Sequence, residues 1–248
     1  MENSYTAFAK VYDKFMDNIP YEEWAEEISG ILTAKNCKTV LELGCGTGTF
    51  SELLCEHGFE VVGIDLSPDM IEIANAKLSQ DKSEQTLTRQ QYKVCDMRSI
   101  AYEQAFDAVI SVCDSMNYLL AENDLKDTLD GAYRALKSEG VIIFDMKTED
   151  FYRDELGDYT FAESREDCAY IWNNSFDENT KINEYELCLF WENEDGSYTR
   201  QNEIHRQRAF DEDAVMDMMT KVGYKNVACF EIEAGEGNDE RIYFLGSK

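Results

Sequence analysis

The chain has 248 residues, of which 44 % are hydrophobic and 12 % aromatic, so it can bury a full core and is not a disordered segment. Its formal net charge of −28 argues against a broad nucleic-acid surface, because such a chain repels phosphate. The eight cysteines form no Cys-x-x-Cys pair and only two histidines occur, which argues against a metal site.

The N-terminal residues have neither the basic nor the apolar region of a secretory signal. No apolar run is long enough to span a bilayer. With reduced cysteines, these features predict a cytoplasmic protein without a membrane partner.

Two helices are predicted before the first strand. Residues 4–16 place apolar side chains at helical spacing, with Ser4 as the candidate N-cap: Tyr5, Phe8, Ala9, Tyr12, Phe15 and Met16. A second apolar set follows Pro20 and continues to Leu32. We expect both helices to cover an edge or the mouth of the sheet.

A strand, a glycine turn and a helix follow in an order typical of nucleotide-binding α/β units. Residues 39–43 predict a buried strand, and the turn contains Gly44, Gly46 and Gly48. The next helix begins near Phe50 and ends at Gly58. Because these glycines lack side chains, a ligand can lie against the backbone.

Strands and helices then alternate up to residue 145, which predicts a mostly parallel sheet with right-handed crossovers. The further strands are expected at 60–65, 91–95, 106–113 and 141–145. One helix is expected to start at Ser67 and to be followed by a polar loop at 79–90, and another helix, after the strand at 106–113, is expected to end near Gly140. An acid follows or ends each strand after the first: Asp65, Asp96, Asp114 and Asp145. This carboxyl edge is where open α/β sheets bind ligands.

The helical period disappears from residue 151 to 210. Four strands are predicted instead, at 159–164, 168–176, 181–192 and 197–208. A helix between Asp211 and Gly223 and two closing strands, 226–232 and 241–245, around a Gly-Glu-Gly-Asn turn complete the chain. We expect one domain from residues 1–150 and 209–248, and an antiparallel β lid or substrate insertion at 151–208.

The glycine turn favours a ligand without phosphate. Its spacing differs from the dinucleotide fingerprint GxGxxG, and no lysine or arginine occurs between Thr39 and Gly63. Glu42 beside the turn suits a neutral or positive ligand. Asp65 follows Gly44 at the distance where an acid can bind both ribose hydroxyls.

Four motifs in succession resemble class I S-adenosylmethionine-dependent methyltransferases: Glu-Leu-Gly-Cys-Gly-Thr-Gly (42–48), Gly-Ile-Asp-Leu-Ser-Pro-Asp-Met (63–70), Cys-Asp-Met (95–97) and Phe-Asp-Ala-Val-Ile (106–110). Residues 5–13, 113–119 and 205–208 further resemble a small bacterial subgroup of uncharacterised acceptor with a β-rich insertion. The resemblance implies an α/β, Rossmann-like fold: a seven-stranded, mostly parallel sheet with an antiparallel last strand, plus the antiparallel β insertion.

The resemblance also implies S-adenosyl-L-methionine as the cofactor and assigns its contacts. Gly44, Cys45 and Gly46 would lie beside the methionine moiety, and Tyr12 would close over that end. Asp65 would bind the ribose, Leu66 and Met70 would pack on the adenine, and Asp96 and Met97 would bind the adenine edge. Cys113 and Asp114 would line the route to the sulfonium. Met70 and Tyr12 could instead be ordinary core residues, and both cysteines could be packing residues.

Methyl transfer requires alignment of donor and acceptor, and a base only where the acceptor loses a proton. The catalytic candidates are Asp114, Asn117, Tyr118 and His205. His205 could act as a base or, with Arg208, orient a carboxylate; alternatively it is a sheet histidine and Arg208 a surface arginine. The hypothesis that His205 faces the pocket fails if its ring points to bulk solvent, away from residues 113–118.

The predicted function is methyl transfer to a small-molecule acceptor by direct displacement. A regulatory protein that binds S-adenosylmethionine without transfer remains an alternative. A nicotinamide-dependent dehydrogenase is a further reading, against which the glycine spacing argues. A monomer and a homodimer both remain open.

Overall fold

The computed structural model describes residues 5–80, 89–232 and 241–248. Two sheets organise them, a seven-stranded sheet A and a four-stranded sheet B. Ser4 and the Gly-Glu-Gly-Asn turn of the sequence prediction lie outside the described residues.

The strands of sheet A are β1 Thr39–Leu43, β2 Glu60–Asp65, β3 Gln90–Val94, β4 Phe106–Ser111, β5 Leu136–Lys147, β10 Lys225–Phe230 and β11 Arg241–Ser247. Those of sheet B are β6 Thr160–Ser164, β7 Cys168–Asp177, β8 Ile182–Glu192 and β9 Tyr198–Arg208. The helices are α1 Tyr12–Phe15, α2 Tyr21–Ala34, α3 Thr49–Glu56, α4 Pro68–Gln80, α5 Glu122–Ala135 and α6 Glu212–Val222. Short 3-10 turns cover Phe8–Lys10, Met97–Ser99 and Ser115–Tyr118, and a π-helical turn covers Phe151–Leu156.

Sheet A has the strand order β10-β11-β5-β4-β1-β2-β3. Strands β1 to β5 are parallel, and β11 runs antiparallel between β5 and β10. The predicted fold, a mostly parallel seven-stranded sheet with an antiparallel last strand, is confirmed. The strand order reverses between β1 and β4, and a crevice at such a reversal is the usual ligand site of an open α/β sheet.

Both faces of sheet A are covered by helices, so β1 is buried without alternation from Val40 to Leu43. Leu41 and Leu43 pack in a core cluster with residues of α5 and α6, whereas Val40 packs on the other face with residues of α2 and α3. This double burial fixes the carboxyl end of β1, from which the glycine turn leaves the sheet. In the described part of the chain, no helix has both the length and the apolar character needed to cross a bilayer.

Sheet B is an antiparallel meander in the order β6-β7-β8-β9, as predicted for the insertion. Its observed strands begin and end within one residue of the predicted limits, because a period of two and turn residues mark them clearly. One face of sheet B packs on the N-terminal residues, where Phe15 and Val11 meet Leu187 and Leu189.

The long helix predicted over residues 4–16 is not formed. The described part of this segment has a 3-10 turn and the single-turn helix α1, separated at Val11. Backbone N–H groups of Tyr5, Ala7 and Phe8 donate to the Glu203 carboxylate. A short helix is marginal by itself, so this contact with sheet B decides the conformation.

The boundary between α5 and β5 also differs from the prediction. The helix ends at Ala135 and the strand begins at Leu136, so Gly140 lies inside the strand. A Cβ on Gly140 would lie 3.0 Å from the Asp107 carbonyl oxygen. The glycine therefore marks a close approach between strands and not the end of the helix.

Candidate active site

A cavity of about 750 Å³ lies at the carboxyl edge of sheet A. The glycine turn, the N-terminal segment, the turn after β4 and strand β9 contribute to its wall. All the residues predicted to bind the cofactor line it: Tyr12, Gly44, Cys45, Gly46, Asp65, Leu66, Met70, Asp96, Met97 and Cys113. The fold thus brings together side chains from five separate segments, while their individual roles remain predictions.

The glycine turn is left-handed at three positions, with φ of 69° at Gly44, 53° at Gly46 and 82° at Gly48. A Cβ on Gly44 would lie 2.5 Å from the Ser115 Oγ, so only glycine fits there. At Gly46 the nearest atom to such a Cβ is Cε1 of Tyr12, at 4.0 Å. Gly46 therefore leaves open space in the cavity, beside the Tyr12 ring.

Asp65, at the end of β2, is held beside this turn. Its carboxylate accepts hydrogen bonds from the backbone N–H groups of Gly46, at 2.9 Å, and Ser67, at 2.8 Å. Burial raises the pKa of Asp65, and the hydrogen bonds, which lower it, only partly offset this effect. The carboxylate is thus fixed in direction and lines the cavity.

Asp96, after β3, is paired with a cation. The Arg98 Nη2 lies 2.6 Å from its carboxylate, and Arg98 also contacts Asp124 at 3.4 Å. The hydrogen bonds from Arg98 hold the pKa of Asp96 below its usual value. Because acids surround this guanidinium, the cavity wall near it is not a phosphate-binding site.

Glu42 in β1 is buried, and it accepts a hydrogen bond from the Ser51 hydroxyl. Burial raises the pKa of Glu42 to about 8, with a smaller contribution from nearby Asp65. At neutral pH this carboxyl is mainly protonated, so the turn carries less negative charge than the sequence indicates.

Among the four catalytic candidates, Tyr118 lines the cavity. Its Oη lies 2.6 Å from the Oη of Tyr5 and 3.1 Å from the Nδ1 of His205. His205 is buried behind Tyr118, with 3 % of its surface exposed, and it is not a lining residue. Its ring points to Tyr118 and not to bulk solvent.

Asp114 belongs to a buried charge cluster beneath the cavity. Its carboxylate lies 2.7 Å from Nη1 of Arg241 and accepts a hydrogen bond from Gln207 at 2.5 Å. Burial would raise the pKa of Asp114, but Lys147 and Arg241 outweigh it and hold the pKa below its usual value. The side chain is therefore occupied in the cluster and does not line the cavity.

The same cluster fixes the turn that follows β4. The backbone N–H groups of Cys113 and Asp114 donate to the Asp145 carboxylate at 3.0 and 2.9 Å. Both residues have left-handed φ, 63° and 54°. Asp145 and Arg241 thus stabilise a backbone conformation that is unfavourable for residues with a Cβ.

Asn117 connects three elements and does not line the cavity. Its Oδ1 accepts from the N–H of Lys147 at 3.0 Å, and its Nδ2 donates to the Arg208 carbonyl at 2.9 Å. The Arg208 guanidinium donates to the Leu120 carbonyl and contacts Glu122, and Arg208 itself does not line the cavity.

The sequence does not assign several further lining residues to the site, among them Tyr5, Tyr21, Ile204 and Arg206. Tyr5 belongs to the apolar set of residues 4–16 and Tyr21 directly follows Pro20 in the second set, and both patterns predict a helix face. Along β9, alternation separates Ile204 and Arg206 from the buried Glu203 and His205, so a period-two reading of this strand could have identified them.

Comparisons with known proteins decide the family. A family model described as a methyltransferase domain matches residues 40–140. The Bacillus subtilis (strain 168) protein named "Putative methyltransferase YqeM" is 37 % identical, over 98 % of this chain and 97 % of its own. The chain belongs to the methyltransferase family. This family member is an enzyme that depends on S-adenosylmethionine.

Solved structures agree with this family. The crystal structure of an S-adenosylmethionine-dependent methyltransferase from Clostridium acetobutylicum ATCC 824 has a TM-score of 0.82 and 25 % identity, covering 98 % of each chain. CalS10 from Micromonospora echinaspora, an amino pentose methyltransferase solved with S-adenosylmethionine bound, has a TM-score of 0.73 and 18 % identity. It covers 100 % of this chain and 99 % of its own, and it shares the fold.

The cavity of this methyltransferase fits the cofactor. The Gly46 backbone faces open space, and two carboxylates, Asp65 and Asp96, lie at the ends of adjacent strands. Hydroxyl and amino groups of a nucleoside are donors that carboxylates accept. The turn itself offers no cation, in keeping with a ligand that carries a sulfonium and no phosphate.

Proposed function

We propose that this methyltransferase transfers a methyl group to a small molecule that binds in the same cavity as the cofactor. The observation that carries the proposal is the cavity itself, because it extends from the glycine turn to Tyr118 and β9. Its volume of about 750 Å³ falls within the range of small-molecule sites. The net charge of −28 disfavours a nucleic-acid acceptor.

For the cofactor, we propose the contacts that the sequence predicts. Asp65 binds the ribose hydroxyls, Leu66 and Met70 pack on the base, and Asp96 with Met97 binds its edge. Gly44, Cys45 and Gly46 lie along the amino-acid end, Tyr12 closes over that end, and Cys113 lines the route to the sulfonium. The support is their joint position around one cavity.

The bound cofactor supplies a methyl group on a positively charged sulfur, which is a good leaving group. The protein therefore needs to align the acceptor for direct displacement and to exclude water. Tyr118, Tyr5 and Ile204 lie in the part of the wall that the cofactor contacts do not use. We assign the acceptor to that part.

We further propose that residues 151–208 form a lid or substrate insertion on a cofactor domain of residues 1–150 and 209–248. Ion pairs join the N-terminal segment to sheet B, with Arg165 contacting Asp17 at 2.7 Å and Lys14 contacting Asp167. CalS10, whose name gives an amino pentose as its acceptor, aligns over the whole of this chain, insertion included. The fold that CalS10 shares with this chain thus accommodates an acceptor of the size of an amino pentose.

Transfer of a labelled methyl group tests the proposal. A cell extract is separated by ultrafiltration into low-mass and macromolecular fractions, and each is incubated with the protein and methyl-labelled S-adenosylmethionine. We expect enzyme-dependent label in the low-mass fraction, and much less of it with the Asp65→Asn variant when the cofactor is below saturation. Label in the macromolecular fraction alone would overturn the small-molecule assignment. Cofactor binding without labelling of either fraction would favour the regulatory alternative.

A further inference from the structure

Four side chains form one hydrogen-bonded series from the cavity wall to a buried carboxylate. Tyr5 Oη lies 2.6 Å from Tyr118 Oη, which lies 3.1 Å from His205 Nδ1. The Nε2 of His205 lies 3.0 Å from Oε2 of Glu203. We call these four residues the phenol relay. They come from the N-terminal segment, the turn after β4, and β9.

The inner end of the phenol relay is an anion. Glu203 accepts backbone N–H groups from Tyr5 at 3.1 Å, from Phe8 at 3.2 Å and from Ala7. Burial alone would raise the pKa of Glu203, but the hydrogen bonds from His205 and Ala7 outweigh it and hold the pKa below its usual value. His205 and three backbone N–H donors thus stabilise the carboxylate in its charged form.

The anion sets the direction of every hydrogen bond in the series. A carboxylate can only accept, so the Nε2 of His205 carries the hydrogen. In the neutral ring, Nδ1 then holds a lone pair, which accepts the O–H of Tyr118. The Tyr118 oxygen in turn accepts the O–H of Tyr5. All donors point away from the cavity, and phenolic lone pairs remain at its wall.

The outer end of the phenol relay is held between the two sheets. The carbonyl of Tyr5 accepts the hydroxyl of Ser67 at 3.2 Å, while its N–H is bound to Glu203. Tyr5 has a left-handed φ of 64°, and its ring meets the His205 ring edge-on with 4.7 Å between centroids. The phenol is thus fixed by contacts to α4 and β9 together.

We propose, on the basis of the proposed methyl transfer, that the phenol relay removes a proton from the acceptor, whose nucleophile is therefore a hydroxyl or a protonated amine. Tyr5 and Tyr118 are the catalytic residues, because they line the cavity. His205 and Glu203 are positioning residues that act through Tyr118.

The proposed step is balanced in atoms and charge. A lone pair of the acceptor oxygen or nitrogen forms the bond to the methyl carbon, and the electrons of the broken carbon–sulfur bond remain on sulfur. The acceptor's proton passes to the Tyr5 oxygen, the Tyr5 proton passes to the Tyr118 oxygen, and the Tyr118 proton passes to Nδ1 of His205. A protonated amine loses this proton before its lone pair attacks, whereas a hydroxyl loses it as the new bond forms. The imidazolium formed is stabilised by the Glu203 carboxylate, and the proton is later released to solvent.

The direction of the phenol relay can be measured without an acceptor. The full chain, labelled with ¹⁵N-histidine and saturated with S-adenosylhomocysteine, gives signals from two histidines, and His57→Gln assigns the exposed one. We expect His205 as the neutral Nε2–H form, with a hydrogen-bonded Nδ1 whose signal shifts in Tyr118→Phe. An Nδ1–H form, an imidazolium at neutral pH, or an unchanged signal in Tyr118→Phe would overturn the relay.

The rate of methyl transfer to the low-mass extract fraction separates this inference from the proposed function. In Tyr118→Phe and His205→Gln we expect the rate to fall about 10²-fold or more, with cofactor affinity within about twofold of wild type. Tyr159→Phe, which removes a phenol that is 60 % exposed, is the matched control and should keep the wild-type rate. Wild-type rates in both variants would overturn the relay alone, whereas no transfer by the wild type would overturn the proposed function as well.

Discussion

Arg241 and Asp114 are 127 residues apart in the chain, yet their side chains form a buried ion pair of 2.7 Å. The same guanidinium lies 2.9 Å from Asp145, which is fully buried. Arg241 begins β11, whereas Asp114 belongs to the turn after β4 and Asp145 to β5. One cation thus joins the last strand of sheet A to the turn that carries Cys113 into the cavity wall.

Replacing this cation should destabilise the protein strongly. Arg241→Met would leave two carboxylates buried with less charge compensation, and we expect a loss of about 3–5 kcal/mol in the free energy of unfolding. Urea denaturation measures it. Lys126→Met is the control, because its pair with Asp130 is exposed on α5 and should contribute little. Equal stability of the two variants would show that the buried cluster is not a stabilising contact.

The glycine turn should tolerate no side chain at Gly44. In Gly44→Ala the left-handed backbone alone costs about 1–3 kcal/mol, and the new methyl group also meets Ser115. We expect a lower urea midpoint and weaker binding of S-adenosylmethionine. Gly30→Ala provides a matched control, since no atom lies within 4 Å of the new Cβ in α2. There the free energy of unfolding should stay the same or rise by up to about 1 kcal/mol.

Local sequence patterns predicted most of the fold because they report on single elements. The glycine turn, the acids that end β2 and β3, and the alternation in β8 each depend on neighbouring residues. The two closing strands were also predicted from the residues, whereas the seven-stranded sheet with an antiparallel last strand followed from the resemblance to a known family. Element limits deviated where a distant group intervened, as at Gly140, which packs against Asp107.

The catalytic side of the site was less accessible from sequence. Asp114 and Asn117 follow β4 in the expected place, but their partners are Arg241, Lys147 and Arg208, which are distant in sequence. Hydrogen bonds between such groups cannot be inferred from spacing. The pairing of Tyr5 with Tyr118 was likewise hidden, because aromatic residues at helical spacing predicted an ordinary helix before β1.

Asp65 should contribute to cofactor binding through its charge. Asp65→Asn keeps the shape of the side chain but replaces one carboxylate oxygen by an amide nitrogen, which donates hydrogen bonds and cannot accept them. A hydrogen bond to a charged group is worth about 1.5–3 kcal/mol, so we expect affinity for S-adenosylmethionine to fall about 10- to 100-fold. Calorimetric titration measures it, and Glu72→Gln, an exposed site on α4, should bind as wild type does. Unchanged affinity in Asp65→Asn would remove Asp65 from the site.

The raised pKa of Glu42 should make the free energy of unfolding depend on pH. Its pKa rises from an ordinary value of 4.5 to about 8 on folding, so the folded protein binds more protons between these values. Its contribution to stability is present below pH 4.5 and is lost as the pH rises to about 8, by at most about 1.4 kcal/mol per pH unit. Glu42→Gln should therefore gain stability relative to wild type on going from pH 6 to pH 8.5 in urea denaturation. Parallel changes in the two proteins would contradict a buried, protonated Glu42.

The central claim is that the cofactor binds beside the glycine turn and leaves the Tyr5–Tyr118 wall for an acceptor. A crystal structure of the full chain with S-adenosylhomocysteine tests it most directly. We expect the ribose density within hydrogen-bonding distance of Asp65, and the sulfur on the side of the cavity that Cys113 and Tyr118 line. Ligand density elsewhere on the molecule, or a ligand that covers both phenols and leaves no space beside them, would contradict the account.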